Sequence, residues 1–295
     1  MIIKHKLDSV VGERLAQLHD APTALYYRGT NPNLLLSNTT GTVKSVAIVG
    51  SRKMSAYGLA VTEKLSRELA NRGITIVSGL ALGVDSAAHR ACVAAGGKTI
   101  AVLPSNPITI YPASHHGLAE QIVASGGSLV SEYSDATPAL KYTFIARNRL
   151  IAALADAVLI TEAALRSGSL HTAEFALDLG KPVLAVPGPI TSELSGGTND
   201  LIKNGAITVT SVDDVLLALG VTGAADKKTS PTVQLPASAT AEEQKILIAL
   251  QQGASEGEAL LQKSGLHPTI FTQTISLLEI SGTIRALGND RWAIA

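Results

Sequence analysis

Short unbroken apolar runs alternate with longer segments of helical spacing between residues 43 and 219. VKSVAIVG (43–50) is the first run, and it ends in glycine. A strand with no polar face is buried on both sides, as in a parallel sheet covered by helices. Residues 56–72 carry Leu59, Leu65 and Leu69 among Glu, Lys and Arg, and Gly73 supplies the stop. The succession then recurs. ITIVSG is followed by VDSAAHRACVAAG, KTIAVLP by SHHGLAEQIVASGG, and SLVSE by YTFIARNRLIAAL. AVLITEA leads into SGSLHTAEFALDLG, and KPVLAVPG into GTNDLIKNGA. ITVT reads as a last edge strand and 211–219 as a closing helix. The pattern predicts an α/β domain over 43–220, with a parallel sheet that takes ligands beyond the carboxyl ends of its strands.

The flanking regions differ. Residues 1–42 read as a short N-terminal extension, with an amphipathic piece before APTALYYRGTNPNLLL. Residues 221–240 are rich in Thr, Ser, Ala and Pro and read as a linker. Residues 241–295 hold three helical segments and two short strands, TIRAL and RWAIA, around Gly288-Asn289-Asp290. Three helices and a hairpin predict a small winged-helix domain. Residues 221–295 contain seven acids and six Lys or Arg, and HPTIFTQTISLLEISG contains no Lys or Arg. A duplex reader needs cations against phosphate, so this module reads as an accessory or protein-interaction piece.

Composition sharpens the picture in two ways. The 295 residues are 46% hydrophobic and 3% aromatic with zero net charge, so a core is ample and any phosphate-binding surface is a local patch. The single cysteine, Cys92, excludes an intrachain disulfide and fits a reducing cytoplasm. The first residues lack the apolar stretch of a signal peptide, and no apolar run reaches about 18 residues, so no membrane span is expected.

The chemistry-bearing residues cluster at strand ends. Gly50-Ser51-Arg52 follows the first strand, where a glycine admits close approach, amides cradle a phosphate and a guanidinium forks onto it. It matches neither a dinucleotide fingerprint nor an ATP loop. Ser78 and Gly79 begin SGLALGVDSAAH, a second anion-friendly turn. Its Asp85 and His89 are either acid–base machinery or a helix cap with a supporting hydrogen bond. Lys141 and Phe144 share a helix face, suited to a phosphate and its stacked base. Arg147, Asn148 and Arg149 follow. The two arginines lie about 200° apart on a helix and cannot meet one ligand; a carboxylate such as Glu162 could hold one of them. Ser167-Gly168-Ser169 opens a helix bearing Thr172, a third anion seat, and Asn199 sits in the loop SGGTNDLIKNGA. Three cradling turns and a basic helix on one rim suit an extended anion. No catalytic residue, metal or cofactor is indicated.

Six segments in order, IVGSRKMSAYG, SGLALGVDSAAH, GGKTIAVLP with the following YP, FIARNRLIAAL, TEAALRSGSLHTAEFA and VPGP with GGTNDLIKNGA, resemble the DNA-processing protein A (DprA, or Smf) family. The resemblance covers about residues 43–219. It implies an extended Rossmann-like fold that binds single-stranded DNA and loads a RecA-type recombinase onto it during natural transformation, often as a homodimer. Gly50, Ser51, Arg52, Lys141 and Phe144 would be DNA contacts, with Arg147-Asn148-Arg149 on the same rim. Pro104 stands where that family usually has glycine. A second reading is a nucleotide phosphoribohydrolase of the lysine decarboxylase-like group, which shares the Arg-bearing helix before Ala155-Asp156-Ala157. Its PGGxGTxxE loop is replaced here by TEAALRSGSLHTAE, whose only acids are Glu162 and Glu174. A nucleotide-sensing module is the third.

Overall fold

Val46 and Ile48 pack in one apolar cluster, Ala47 and Val49 in another, and all four are buried. This two-sided strand lies at the centre of the computed structural model, which describes residues 3–5, 10–38, 41–134, 137, 139–221, 240–251, 256–281, 283–288 and 291–294. The chain divides into two units, Met1–Thr222 and Gly223–Ala295.

The first unit begins with β1 (Ile3–His5), α1 (Val10–Leu15), β2 (Leu25–Gly29), α2 (Pro32–Leu36) and the ribbon β3 (Ser37–Asn38) and β4 (Gly41–Thr42). The alternation follows: β5 (Ser45–Val49), α3 (Ala56–Asn71), β6 (Thr75–Ser78), α4 (Val84–Ala94), β7 (Thr99–Val102), α5 (His116–Ala124) and β8 (Ser128–Ser131). Then come α6 (Lys141–Leu154), β9 (Ala157–Ile160), α7 (Leu170–Asp178), β10 (Val183–Ala185), α8 (Gly196–Lys203), β11 (Ile207–Thr208) and α9 (Val212–Ala218). Nine of the described strands form one sheet in the order β1-β2-β8-β7-β6-β5-β9-β10-β11. From β8 to β11 all neighbours are parallel, whereas β1 and β2 add antiparallel at one edge. Helices α1, α2, α6 and α7 cover one face; α3, α4 and α9 cover the other, with α5 beside them. The fold is therefore α/β and Rossmann-like. The chain winds outward from β5 to β8 and then returns to β9 on the other side of β5, so the order reverses between β5 and β9. A crevice opens at such a switch point.

The segment expected as an N-terminal extension belongs to this first unit. Leu25 and Tyr27 of β2 are buried, and Tyr26 to Gly29 pair with Ser131 to Ser128 of β8. Arg14 of α1 is buried and donates to Ser45 Oγ, to the Leu154 carbonyl and to both carboxylate oxygens of Asp156. A buried guanidinium is tolerated only when its donors are met, and here three separate parts of the core meet them.

Helix α6 changes character along its length. Leu150 to Leu154 are buried between α1, α7 and the sheet, whereas Tyr142 and Ile145 are exposed. Its last carbonyls are capped by Lys181, whose ammonium donates to the Ala152, Ala153 and Ala155 carbonyls. Burial holds that ammonium down to about 8, with nearby Arg14 adding to the effect.

In the second unit α10 (Ala241–Gln251), α11 (Gly257–Ser264) and α12 (Pro268–Ile280) precede an antiparallel ribbon, β12 (Ile284–Gly288) and β13 (Arg291–Ile294). Ile246, Leu247, Leu260, Phe271, Ile275, Leu278 and Ile284 form its own apolar cluster. The linker expected over 221–240 and the turn residues Asn289 and Asp290 lie almost wholly outside the described residues. No helix among the described residues is long and apolar enough to cross a membrane.

Candidate nucleic-acid interface

A cleft of about 890 Å³ lies at the carboxyl ends of β5 and β9, where the strand order reverses. One wall is Val49 to Lys53; the other includes Ala164 and Arg166 to Ser169; Phe144, Arg147 and Asn148 of α6 complete it. The two strand-end loops are tied together by the Ser51 amide, which donates to the Glu162 carbonyl at 2.7 Å. Gly50 is required at this crossing, because a β-carbon there would lie 2.6 Å from that same carbonyl oxygen.

The lining is one-signed. It contains Arg52, Lys53, Arg147, Arg166 and His171 against a single acid, Asp85. Asp85 is buried and turned into the protein, accepting the Gly79 and Ala81 amides at 3.1 and 3.4 Å. Burial raises its carboxyl, with Arg147 pulling the other way. Burial likewise lowers Arg147, to about 10, so it stays charged near neutrality. On a chain with no net charge this is a local positive cleft.

Phe144 sits among the cations. The Arg52 guanidinium carbon lies 5.0 Å from its ring centre and that of Arg147 lies 5.9 Å away. Both are within cation–π range. Arg52 is exposed and Arg147 is not, so only Arg52 has the freedom to meet a phosphate. Lys141 stands at the first position of α6, one turn before Phe144.

The two arginines of α6 diverge as their spacing requires. Arg147 donates to the Gly79 and Val102 carbonyls and, through Nε, to Asn148. Asn148 in turn donates to the Gly168 carbonyl at 3.3 Å, which steadies the opposite wall. Arg149 pairs with Glu132 at 2.7 Å and Asp20 at 2.9 Å, and is not part of the cleft. Both arginines are almost fully buried, so neither offers its guanidinium to the open rim. Glu162 is not their partner. Its carboxylate accepts the amide and hydroxyl of Ser55, the residue that also caps α3. Glu132 and Asp20 hold Arg149 because they are near in space, not in sequence.

Two of the three expected anion seats are thereby occupied by the chain's own carboxylates. Glu162 fills the start of α3 and Asp85 fills the turn after β6. Ser78, expected on the rim, is fully buried and its hydroxyl donates to the Ile48 carbonyl; Gly79 is buried beside it. The third turn differs. Ser167, Gly168 and Ser169 line the cleft ahead of α7, and a β-carbon at Gly168 would meet nothing within 4 Å. Ser51 lines the cleft too, although its hydroxyl accepts from the Lys53 amide.

The supporting residues are placed as follows. His89 is buried and its Nδ1 lies 2.7 Å from Thr99 Oγ1. The Thr99 hydroxyl proton is given to the Ile76 carbonyl, so Nδ1 must carry the imidazole proton. Burial holds His89 down to about 3, with His115 and Arg147 adding to it. Asp85 thus holds the turn after β6, and His89 is tied to β7 through Thr99. Thr172 is buried behind the α7 turn, and Asn199 bonds both the amide and carbonyl of Gly188. Leu80, just after β6, has φ +56°, the sole non-glycine positive φ among the described residues. Its strained carbonyl accepts from His115 Nδ1 at 2.8 Å.

Lys53, Tyr111, Arg166 and His171 were given no role from the sequence, yet all four line the cleft. Arg166 could have been found, because it directly precedes Ser167-Gly168-Ser169. Tyr111 lay in the YP of a family-like segment, but its loop between β7 and α5 carries no phosphate-binding pattern that would have given it a role.

Comparison with known proteins places the chain in a family. Residues 4–220 match the profile of the family described as DNA recombination-mediator protein A. DNA processing protein DprA of Streptococcus pneumoniae is 43% identical over 210 residues, 71% of either chain. A putative DNA processing protein DprA of Mycobacterium tuberculosis is 38% identical over 252 residues, which are 85% of this chain and 64% of that one. This chain thus spans less than two thirds of the mycobacterial relative. Among solved structures, the pneumococcal protein superimposes with a TM-score of 0.65 at 40% identity, covering 73% of this chain and 74% of that one. DNA processing protein A of Helicobacter pylori, solved for its single-stranded DNA binding mode, gives a TM-score of 0.65 at 34% identity, covering 75% and 96%. The chain belongs to the DNA recombination-mediator protein A family.

Proposed function

We propose that the switch-point cleft binds single-stranded DNA without reading its sequence. The observation that carries this reading is the lining: five cationic or protonatable side chains share the cleft with Phe144, two of them over its ring, and the one acid of the lining is turned inward. A positive groove with an aromatic surface is what a sequence-tolerant single-strand binder needs, since phosphates meet the cations and any base has a π-face. The single-strand binding mode described for the Helicobacter relative supports it. Arg52, Lys141 and the open turn at Ser167-Gly168-Ser169 take phosphates, and Phe144 takes a base. Arg147, Asn148 and Arg149 act by fixing the rim.

The biological role in this reading is recombination mediation. The protein covers incoming single strands and loads a RecA-type recombinase onto them in natural transformation, working as a cytoplasmic homodimer. The family description supports the mediator role. The second unit, read as a winged helix, serves partner contact rather than duplex reading. No catalytic step, metal or cofactor is part of the reading. The hydrolase alternative loses its acids, because Glu162 is engaged with Ser55 and Glu174 is exposed and paired with His171.

The test is fluorescence anisotropy of labelled oligo-dT and of a duplex of equal length over a salt series. Tighter binding to the single strand, with a linear loss against the logarithm of salt, is expected. Equal binding to both, or no salt slope, overturns the reading. Recombinase displacement of single-strand-binding protein in the presence of the chain tests the loading role.

A further inference from the structure

Phe144 has an aromatic neighbour with no assigned role. Tyr111 lines the same cleft and is 49% exposed. Its ring centre lies 5.4 Å from that of Phe144, with the planes at 73°. Its hydroxyl has no hydrogen-bond partner among the described residues. A structural tyrosine usually buries its ring and satisfies its hydroxyl; this one does neither.

The loop that carries it is firmly held. The Ser105 hydroxyl donates to the Thr109 carbonyl at 2.6 Å, and Asn106 Oδ1 accepts the Ile108 and Thr109 amides at 2.9 and 2.8 Å. Ile110, the preceding residue, is buried in the cluster beneath α5. Tyr111 is thus presented on an anchored loop, and its exposure is not the result of a loose chain.

We propose that Tyr111 is a second base-stacking surface, so that the cleft holds two neighbouring bases splayed apart. The proposal rests on the single-strand reading above. Stacked bases in a helix lie parallel to one another. Two rings at 73° cannot each be faced by one of a parallel pair, so a strand must break its stack here to use both. The site therefore selects for strands that unstack at little cost. Thymines stack weakly and adenines strongly, and such preferences arise from stacking strength and backbone flexibility in this class of binder. Tyr111 becomes a determinant of strand selectivity as well as of affinity.

The experiment uses the full chain with oligo-dT and oligo-dA of equal length, in anisotropy titrations at one salt concentration. The proteins are wild type, Tyr111→Phe, Tyr111→Leu, Phe144→Leu and the double leucine variant, each checked by thermal melting. Wild type is expected to favour oligo-dT. Tyr111→Leu should weaken oligo-dT binding about fivefold or more and shrink the dT-to-dA ratio, while Tyr111→Phe retains both. The tyrosine effect should persist in the Phe144→Leu background, because each ring takes its own base. The proposal is overturned if Tyr111→Leu binds oligo-dT as wild type does, or if the dT-to-dA ratio is unchanged. It is also overturned if the effect vanishes in the Phe144→Leu background, since Tyr111 then acts only by holding Phe144. Failure of wild type to bind either oligonucleotide would instead overturn the cleft reading itself.

Discussion

The guanidinium of Arg147 occupies the space that a β-carbon on Gly79 would take: such an atom would lie 2.5 to 2.6 Å from Nη1, Nη2 and Cζ. The arginine is held there by the Gly79 and Val102 carbonyls it bonds, so it can move towards the cleft only by giving them up. Gly79→Ala should therefore destabilise the fold by about 1–3 kcal/mol, as overpacked cores do. The urea midpoint measures it. A midpoint equal to wild type would mean that Arg147 moves freely.

Arg52 and Arg149 should separate binding from folding. Arg52 is exposed and rests its guanidinium on Phe144, so Arg52→Ala should weaken single-strand binding by about 1 kcal/mol or more and lower the salt slope by about 1, with little change in melting temperature. Arg149→Ala leaves the half-buried Glu132 without its cation and should cost stability, about 3 kcal/mol at most. Paired titrations and melts check both. An Arg149→Ala protein that melts normally but no longer binds would put that side chain on DNA after all.

Glu162→Gln exchanges a carboxylate that accepts both Ser55 donors for an amide that presents one acceptor and one donor. Hydrogen bonds to charged groups contribute about 1.5–3 kcal/mol. A loss of that size, read from denaturant unfolding, is expected, with fraying at the start of α3 visible as faster amide exchange near Ser55.

Acid should unfold the first unit partly through His89. Its folded value of about 3 lies below the 6.5 of a free imidazole. Between those values the unfolded chain holds a proton that the folded chain does not. Stability therefore falls as pH drops from 6.5 towards 3, by up to about 1.4 kcal/mol per pH unit. Asp85 opposes this, because its raised carboxyl takes up a proton in the folded state. The difference between wild type and His89→Gln isolates the histidine, and the variant should show the shallower acid slope. Equal slopes would refute the assignment.

The sheet was legible because burial on both faces leaves an almost unbroken apolar run in a strand, as in residues 46–49 and Ala157–Ile160. Stops such as Gly73, with φ +74°, were equally plain. β2 was not: LYYRG alternates weakly, and only its pairing with a strand about a hundred residues later makes it part of the sheet. At the site, spacing along α6 foretold that Arg147 and Arg149 would part, since helix geometry is local. It could not name Glu132, Asp20 or the Gly79 carbonyl, which are set by tertiary approach. The same limit misled the reading of strand-end glycines as phosphate seats. A turn rich in amides attracts an anion, but sequence does not tell whether that anion is a ligand or the chain's own Glu162 or Asp85.

Arg14 has a consequence for synthesis. Its partners include the Leu154 carbonyl and Asp156, 140 and 142 residues further along. At roughly 5–20 residues per second, the ribosome takes about 7–28 seconds to deliver them. Through that interval Arg14 has α2 beside its helix but none of its own acceptors on Leu154 and Asp156, and β5 lacks its neighbour β9. The buried guanidinium can therefore be satisfied only after the chain has been made through α6 to Asp156.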